Sequence, residues 1–336
     1  MQGEMLNKPL FTVFTPTFNR AYTLPRLYES LKIQTYTNFE WLIIDDGSTD
    51  ETYELIRKWQ ENTTDFLIRY YWQQNRGKHV AFNRGVCKAQ GILFLPLDSD
   101  DTCTSNALER FAFHWDSIPF EEKSGFAGVC AHCMDRNGKL VGTLFPFNPT
   151  DSNSIEIRYR YKVKGEKWGF NRTDILIRFR FPEDENMRFI PEGIVWNGIA
   201  RIYRTRFVNE ILRTYYIEDF KGSDQLSKSL NDIKEIISKK YAMGCAFYYK
   251  SLFNDDIKWF RYEPMKYFVS AISYIRFSLH CGKLLNNIYK EIHTLEGKIL
   301  ILFASPIGII LYFLDSKNIL LISQIRNKIK NIFCLL

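Results

Sequence analysis

The 336-residue chain lacks the cysteine spacing of a disulfide or zinc framework. Its seven cysteines are scattered and odd in number, and Cys130 and Cys133 form its single C-x-x-C pair. A structural zinc site of this kind needs a second pair of ligands. We therefore expect buried free thiols in a reducing cytosol, and neither zinc nor disulfides.

Other absences narrow the class of protein further. The N-terminal MQGEMLNKPLFTVF has no basic stretch followed by a long apolar run, so it predicts no signal peptide. Neither an internal repeat nor a low-complexity linker is present. A hydrophobic content of 46% is enough for one large domain or two smaller ones.

The net charge of +7 could serve nucleic acid, an anionic membrane or a phosphorylated substrate. The basic residues are spread along the chain and concentrate near its C-terminus. They do not alternate with aromatic residues as in a nucleic-acid groove, so we expect no nucleic-acid partner.

Short apolar runs alternate with helical patterns through the first hundred residues. This order predicts an α/β fold with a parallel sheet covered on both faces. Strands are predicted at 11–15, ending before Pro16, and at 39–44, 66–72 and 92–97; helices are predicted at 21–34, 50–60 and 79–89. In such sheets ligands bind at the carboxyl ends of the strands. Polar clusters follow those ends: TFN at 17–19, DDGSTD at 45–50 and DSDD at 98–101.

The segment FLPLDSDD, residues 94–101, crowds three carboxylates against the end of a predicted buried strand. Like charges this close repel, so we expect a cation among them. Mg²⁺ or Mn²⁺ takes oxygen ligands and leaves positions for water and phosphate, which favours Asp98 and Asp100 as metal ligands. An acidic loop, or a cap for a helix beginning near Ser105, is the alternative.

Two further segments have a binding and a structural interpretation. Asp45 and Asp46 could accept hydrogen bonds from a base or a ribose, although Asp-Gly-Ser is also a good turn. Gly77 permits close backbone approach, and Lys78 and His79 could face a diphosphate. A solvated helix start explains the same residues.

Three blocks together, PTFNRAYTLPRLYESLKIQTYTNFEWLIIDDGSTDET, NRGKHVAFNRG and FLPLDSDD, resemble the family 2 glycosyltransferases. The resemblance covers residues 9–115, and FRFPEDENMRFIPEGIVWNGIA at 179–200 is similar to bacterial polysaccharide-assembly members. It implies the GT-A nucleotide-diphospho-sugar fold, a mostly parallel central sheet flanked by helices. We expect a catalytic domain at 1–235, with a donor half at about 1–115 and an acceptor half at about 116–235. A helical region would follow at 236–336.

The resemblance also implies roles for residues on the donor side. The nucleoside pocket would be lined by Pro16, Phe18, Asn19 and Asp46, with Asp46 on the base, which is uracil in many members. The segment near the diphosphate would contain Lys78 and Asn83. The DxD pair that touches ribose and Mn²⁺ or Mg²⁺ would be Asp98 and Asp100, with Asp101 beside them.

On the acceptor side, Glu192 in PEGIVW matches the position of the family's catalytic base. Many members have Glu-Asp there, whereas Gly193 follows here, and Asp184 and Glu185 are nearby competitors. A carboxylate that favours a helix N-terminus is the structural alternative for Glu192. Trp196 is expected to form the acceptor pocket or to pack in the core.

The C-terminal segment 299–314 carries no charge, yet it is shorter than the ~20 residues that span a bilayer. Pro306 and Gly308 are expected to break it, which predicts an interfacial or re-entrant element. Arg326, Lys328 and Lys330 suit a basic amphipathic helix on an anionic membrane. A core helix followed by a surface helix is the alternative.

The resemblance implies an inverting, metal-dependent transferase with a nucleotide-diphospho-sugar donor, UDP-linked. The expected acceptor is a polyprenyl-diphosphate-linked glycan in O-antigen or capsule synthesis. The expected location is cytoplasmic, with peripheral attachment to the inner membrane. Transfer to polyprenyl phosphate itself is an alternative, although that class usually has clear transmembrane helices. A non-catalytic nucleotide-binding scaffold is another, although it would predict loss of the DxD residues.

Overall fold

The computed structural model describes residues 8–185, 187, 189–216 and 239–316. The chain divides into two compact units: Met1–Glu183 with Glu192–Asp219, and Asp184–Pro191 with Phe220–Leu336. The predicted boundary at 235/236 lies outside the described residues and stays a prediction.

The first unit is built on a nine-stranded sheet with the order β3-β2-β1-β4-β8-β6-β9-β5, and β7 pairs with β9. The strands β1 to β4 are parallel, while β8 is antiparallel to both β4 and β6. The α/β fold is confirmed: β1 to β4 form a parallel part of the sheet, and β5 to β9 form a mixed part in which β5 and β7 are antiparallel to β9. The strands are β1 (Phe11–Thr17), β2 (Phe39–Asp45), β3 (Leu67–Trp72), β4 (Leu93–Pro96), β5 (Thr102–Cys103), β6 (Phe126–Met134), β7 (Thr150–Ser152), β8 (Lys167–Arg172) and β9 (Arg204–Thr214).

Helices cover both faces of this sheet because alternate strand residues are apolar on each side. Val13 and Trp41 pack on one face in a core shared with α1, α2 and α4. Phe14 and Phe94 stack on the other face, where Phe82 of α3 meets both edge-on. The helices are α1 (Leu24–Lys32), α2 (Thr52–Asn62), α3 (Lys78–Lys88), α4 (Ala107–Asp116), α5 (Ser154–Tyr159), α6 (Thr173–Arg178) and α7 (Gly193–Ala200).

The prediction that β1 ends before Pro16 is wrong, because β1 continues through Pro16 to Thr17. The Asp46 amide donates to the Thr17 carbonyl on the β2 side, so Pro16 faces β4. The β1–β4 ladder ends at the Phe14–Pro96 pair. The missing N–H of Pro16 therefore removes no ladder hydrogen bond.

The described part of the second unit is helical: α8 (Lys239–Asp255), α9 (Pro264–His280), α10 (Leu285–Lys290) and α11 (Leu295–Ser316), with a 3₁₀ turn at Ile257–Tyr262. Buried aromatic residues of α8 and α9 meet in its core, where the ring centroids of Phe253 and Tyr274 lie 6.1 Å apart. Arg276 and His280 of α9 both contact Asp315 of α11, at 2.5 and 2.9 Å.

The prediction that Pro306 and Gly308 break the apolar segment is also wrong. The helix α11 is continuous over 22 residues and contains Pro306. Gly308 allows close helix packing, since a Cβ there would lie 2.8 Å from Ile275 of α9. Packing against α9 therefore stabilises α11 as a continuous helix, although Pro306 and Gly308 would each disfavour a helix in isolation.

By length and composition α11 could cross a membrane. The segment Leu295–Asp315 has a mean hydropathy of 2.0, and 22% of the 18-residue window that represents it is buried. The exposed side chains recur at helical spacing and form one stripe. This stripe consists of Leu295, Ile299, Leu302, Phe303, Ile307, Ile310 and Phe313. The predicted basic helix with Arg326, Lys328 and Lys330 lies outside the described residues.

Candidate active site

The carboxyl ends of β1 and β2 are joined by hydrogen bonds at the predicted nucleoside pocket. Asn19 has a left-handed backbone (φ 52°), and its side-chain Oδ1 accepts from the Thr49 amide at 2.8 Å. Phe18 beside it is 40% exposed, while Pro16 is part of β1. The two loops thus form one wall, from which the ring of Phe18 is available for contact with a base.

Asp46 has a structural role that the sequence did not reveal. One oxygen accepts from Gln73 Nε2 and the Arg76 amide, at 2.7 and 3.0 Å, and the other accepts from the Gly77 amide at 2.8 Å. Asp46 is buried and holds the 73–77 loop in front of α3. In this structure its carboxylate contacts the protein's own loop at the position predicted for a base.

The carboxylates after β4 have different neighbours. Asp101 is fully buried, binds the Arg213 guanidinium and accepts from the Tyr216 amide at 3.0 Å. Both of its oxygens thus anchor the end of β9, and a contact of Asp101 with substrate stays a prediction. The buried pair fixes the backbone from which Asp98 and Asp100 project.

Lys78 connects the residues predicted for the donor side and for the acceptor side. Its ammonium lies 3.0 Å from Asp98 Oδ1 and 3.1 Å from Glu192 Oε1. Burial opposes the charge, but Asp98 and Glu192 outweigh it and raise the pKa of Lys78, so the ammonium stays protonated. Burial of Asp98 is likewise outweighed by Lys78 and Arg213, which hold the pKa of Asp98 below its usual range. The three side chains remain solvent-accessible, so these contacts can be exchanged for substrate.

Among the carboxylates of this loop, Asp100 is the one whose ionised form a bound cation would stabilise most. Burial, and then the charge of Asp98, raise the pKa of Asp100 above its usual range. The described residues contain no group of three His, Cys, Asp or Glu side chains able to hold a metal. Mg²⁺ and Mn²⁺ sites often use one or two carboxylates and complete their shell with substrate phosphates. Asp98 and Asp100 fit such a two-carboxylate site.

Asn83 and His79 of α3 are both predicted to contact the donor, and both have surroundings formed by other parts of the protein. The amide of Asn83 donates to the Phe181 carbonyl and to Glu183, both at 2.8 Å, and accepts from the Phe181 amide. His79 is buried, and burial lowers the pKa of His79, with Glu183 and Asp46 opposing this shift. Asn83 thus attaches the 181–183 segment to α3, and the donor contacts of Asn83 and His79 stay predictions.

Glu192 lies immediately before α7, with Oε2 3.4 Å from Trp196 Nε1 one turn later. Trp196 is half-buried, and its ring packs edge-on against Phe82 at 5.8 Å. Glu192 is thus placed beside Lys78, while its competitors Asp184 and Glu185 belong to the second unit.

Arg213 and Glu166 also lie at this site, although no sequence pattern predicted either of them. Arg213 lies 3.9 Å from Asp98 and 3.8 Å from Glu166. Burial, with Asp98 and Glu192 adding to it, raises the pKa of Glu166. No sequence motif surrounds either residue, because strand pairing within the mixed half brings them to the site.

Comparison with known proteins identifies the family. The model described as Glycosyl transferase family 2 matches residues 12–173. The PGL/p-HBAD biosynthesis glycosyltransferase of Mycobacterium bovis is 37% identical over 187 residues, 48% of this chain and 68% of that protein. The chain belongs to glycosyltransferase family 2. The GalNAc(5)-diNAcBac-PP-undecaprenol beta-1,3-glucosyltransferase of Campylobacter jejuni is 25% identical over 263 residues, 72% of this chain and 81% of that protein.

Solved structures agree with this family assignment at the level of fold. TarS of S. aureus in complex with UDP has a TM-score of 0.51 at 16% identity, covering 91% of this chain and 90% of that chain. The mannosyltransferase PcManGT of Pyrobaculum calidifontis, in complex with GDP-Man and Mn²⁺, has a TM-score of 0.50 at 15% identity, covering 92% and 84%. The protein is a glycosyltransferase with the GT-A fold.

The buried pair of Arg213 and Asp101 generates a stability prediction. Arg213→Met leaves a buried carboxylate unpaired, and we expect it to lower the free energy of unfolding by about 3–5 kcal/mol. Arg204→Met on the same strand removes an exposed pair with Glu122 and a cation–π contact with Phe126, so its effect should stay within about 1–2 kcal/mol. Urea unfolding of both variants measures the difference. Equal effects would contradict the anchoring role, and Arg213→Met/Asp101→Asn should recover part of the loss.

Proposed function

We propose that this family 2 enzyme is an inverting, metal-dependent transferase that moves a sugar from a UDP-linked donor to a hydroxyl of a lipid-linked oligosaccharide. The pathway we propose is surface polysaccharide synthesis, of O-antigen or capsule type. The observation that carries the proposal is the convergence of Asp98 and Glu192 on the Lys78 ammonium. It joins a diphosphate-side carboxylate to a carboxylate that can serve the acceptor.

The donor side supports a nucleotide diphosphate. Phe18 offers an exposed ring beside the ends of β1 and β2, and Lys78 offers N–H donors to diphosphate oxygens. TarS binds UDP and PcManGT binds GDP-Man with Mn²⁺, which supports a nucleotide sugar and a divalent cation. Asp98 and Asp100 would hold that cation, which when bound supplies neutralisation of the diphosphate's charge.

Glu192 is the proposed general base. A carboxylate within hydrogen-bond reach of the acceptor hydroxyl accepts its proton as the oxygen bonds to the anomeric carbon. The bond from that carbon to the diphosphate oxygen breaks on the opposite side, and the nucleoside diphosphate leaves with the electron pair. This geometry inverts the anomeric centre and needs no enzyme nucleophile.

A lipid-linked acceptor is supported by two separate observations. The name of the C. jejuni relative places its acceptor on PP-undecaprenol. The apolar stripe of α11 exposes large side chains, including Leu302 at 63% and Phe303 at 70%. An exposed stripe along one face suits a helix lying at a membrane surface. We propose peripheral attachment at the cytoplasmic face of the inner membrane.

Transfer to polyprenyl phosphate itself is a second candidate. It gains support from the length of α11, since Leu295–Asp315 is long enough to span a bilayer. Assays with radiolabelled donor separate the candidates, because only the first requires a glycan already attached to the lipid diphosphate.

Nucleotide binding tests the donor proposal. Calorimetry should show UDP binding in a Mn²⁺-dependent manner and more tightly than GDP or dTDP, with at least a tenfold loss of affinity in Asp100→Asn because a metal ligand is weakened. Asp116→Asn, an exposed aspartate in the same unit, should bind normally. A folded protein that binds no nucleotide contradicts the proposed donor.

Substitution of the base tests the catalytic assignment. Glu192→Gln should reduce kcat by roughly 10²–10⁴-fold because the amide cannot accept the proton, while the nucleotide dissociation constant changes little. Sugar transfer to a synthetic lipid-linked acceptor measures kcat. The matched variant Glu185→Gln should stay near wild type; the reverse pattern would assign the base to the other carboxylate.

Membrane attachment is tested at the α11 stripe. Phe303→Asp should reduce binding to anionic phosphatidylglycerol vesicles about tenfold or more, since burying an aromatic side chain contributes about 1.5–3 kcal/mol. Cosedimentation measures the bound fraction. Phe120→Asp, at an 89% exposed aromatic in the first unit, is the control. Equal binding by both variants and wild type contradicts attachment through this stripe.

A further inference from the structure

A cavity of about 360 Å³ lies along the outer side of α3. Its volume is at the lower end of the range for small-molecule sites. Lining side chains recur at helical spacing, with Arg84 and Cys87 about one turn apart on α3. The 73–76 loop and the 180–183 segment complete the wall with Gln73, Arg76, Arg180 and Glu183. All of these residues belong to the first unit.

The lining carries more positive than negative charge. Three guanidinium groups, those of Arg76, Arg84 and Arg180, face a single carboxylate, Glu183. That carboxylate is 3.8 Å from Arg76, which is beyond hydrogen-bond distance. A ligand anion can therefore approach the Arg76 guanidinium without breaking a hydrogen bond between Arg76 and Glu183, while Glu183 keeps its 2.8 Å hydrogen bond from Asn83.

Each of two arginines is positioned through one nitrogen and keeps others for a ligand. Arg84 Nη1 donates to the Trp72 carbonyl at 2.8 Å and lies 3.3 Å from Gln73 Oε1. Arg180 Nε donates to the Ile177 carbonyl at 3.1 Å. Since a guanidinium has five N–H donors in a planar fork, both retain donors suited to phosphate oxygens.

The backbone around the cavity is held in place before any ligand arrives. Asp46 binds the side chain of Gln73 and the amide of Arg76. Asn83 binds the Phe181 backbone and the Glu183 side chain. The 73–76 loop and the 180–183 segment are thus attached to the sheet and to α3. This attachment reduces the conformational entropy that ligand binding would cost.

We propose that this cavity binds a phosphate or diphosphate group, at a position distinct from the donor site. Lys78 at the start of α3 contacts Asp98 and Glu192, and it is not among the cavity residues. The anion comes either from a soluble phosphate compound or from a lipid diphosphate headgroup. The inference does not depend on the proposed transferase chemistry.

Cys87 gives a local test of occupancy. Its thiol is exposed and lines the cavity, so a bound anion should slow its alkylation by the neutral reagent iodoacetamide. Inorganic pyrophosphate is the probe, added without divalent cation, and peptide mass spectrometry follows the modification of Cys87. Cys281, in the second unit and half-buried, reports any general effect on thiols.

Variants locate the anion. Arg180→Gln should raise the pyrophosphate concentration for half-protection about tenfold, because a charge-assisted hydrogen bond is lost. Arg178→Gln removes an exposed arginine two positions away that is outside the lining, so protection should be unchanged. Lys78→Gln should also keep protection, since Lys78 contacts Asp98 and Glu192 and does not line the cavity.

The outcomes separate clearly. No protection of Cys87 in the wild type overturns the proposal, as does equal protection in Arg180→Gln. Once protection is found, UDP is compared with phosphatidylcholine vesicles that contain or lack a polyprenyl diphosphate. Protection by UDP alone identifies a soluble ligand, and protection by the lipid diphosphate alone identifies the headgroup. Loss of nucleotide binding at the donor site leaves this result unaffected, so failure of one proposal is distinguishable from failure of the other.

Discussion

The accumulation of negative charge after β4 constrains the rest of the first unit. Three carboxylates lie within four residues at the end of a buried strand, where desolvation and mutual repulsion both oppose ionisation. The fold brings a different partner to two of them. Arg213 from β9 neutralises the buried Asp101, and Lys78 from α3 neutralises Asp98. Asp100 has a raised pKa, which favours the approach of a cation.

This arrangement explains why α3 has a central place in the structure. Its apolar side packs on β1 and β4 through Phe82, and Asn83 holds the segment that leads toward α7. Its first residue, Lys78, then reaches both Asp98 and Glu192. One helix therefore connects Asp98 with Glu192, the carboxylates proposed for the diphosphate side and the acceptor side. A shift of α3 would alter both, because protein cores do not deform continuously.

The second unit is organised by packing between α9 and α11. Gly308 permits close approach to Ile275, and Asp315 joins Arg276 and His280 near the end of the pair. This packing uses one side of α11 and leaves its other side apolar and exposed. A helix with such a distribution is suited to an apolar environment on the side that the protein does not cover.

Local sequence determined β1 to β4, the helices between them and the polar clusters at the strand ends, whereas β5 to β9 were not predicted. Alternation of apolar and helical patterns is a short-range property, and the carboxyl ends of parallel strands share one edge by geometry. Asp98 and Asp100 were accessible from the strand-end pattern for this reason, whereas Glu192 was predicted only from the resemblance to a family motif. The helix α11 was not, since its continuity through Pro306 depends on packing against α9. Only the tertiary structure decided which polar and charged side chains contact one another. The pair of Arg213 and Glu166 is not marked by any sequence motif. The side chains of Asp46, Asn83 and Asp101 bind other parts of the protein. Such pairings depend on contacts between residues distant in sequence, and a local pattern does not encode them.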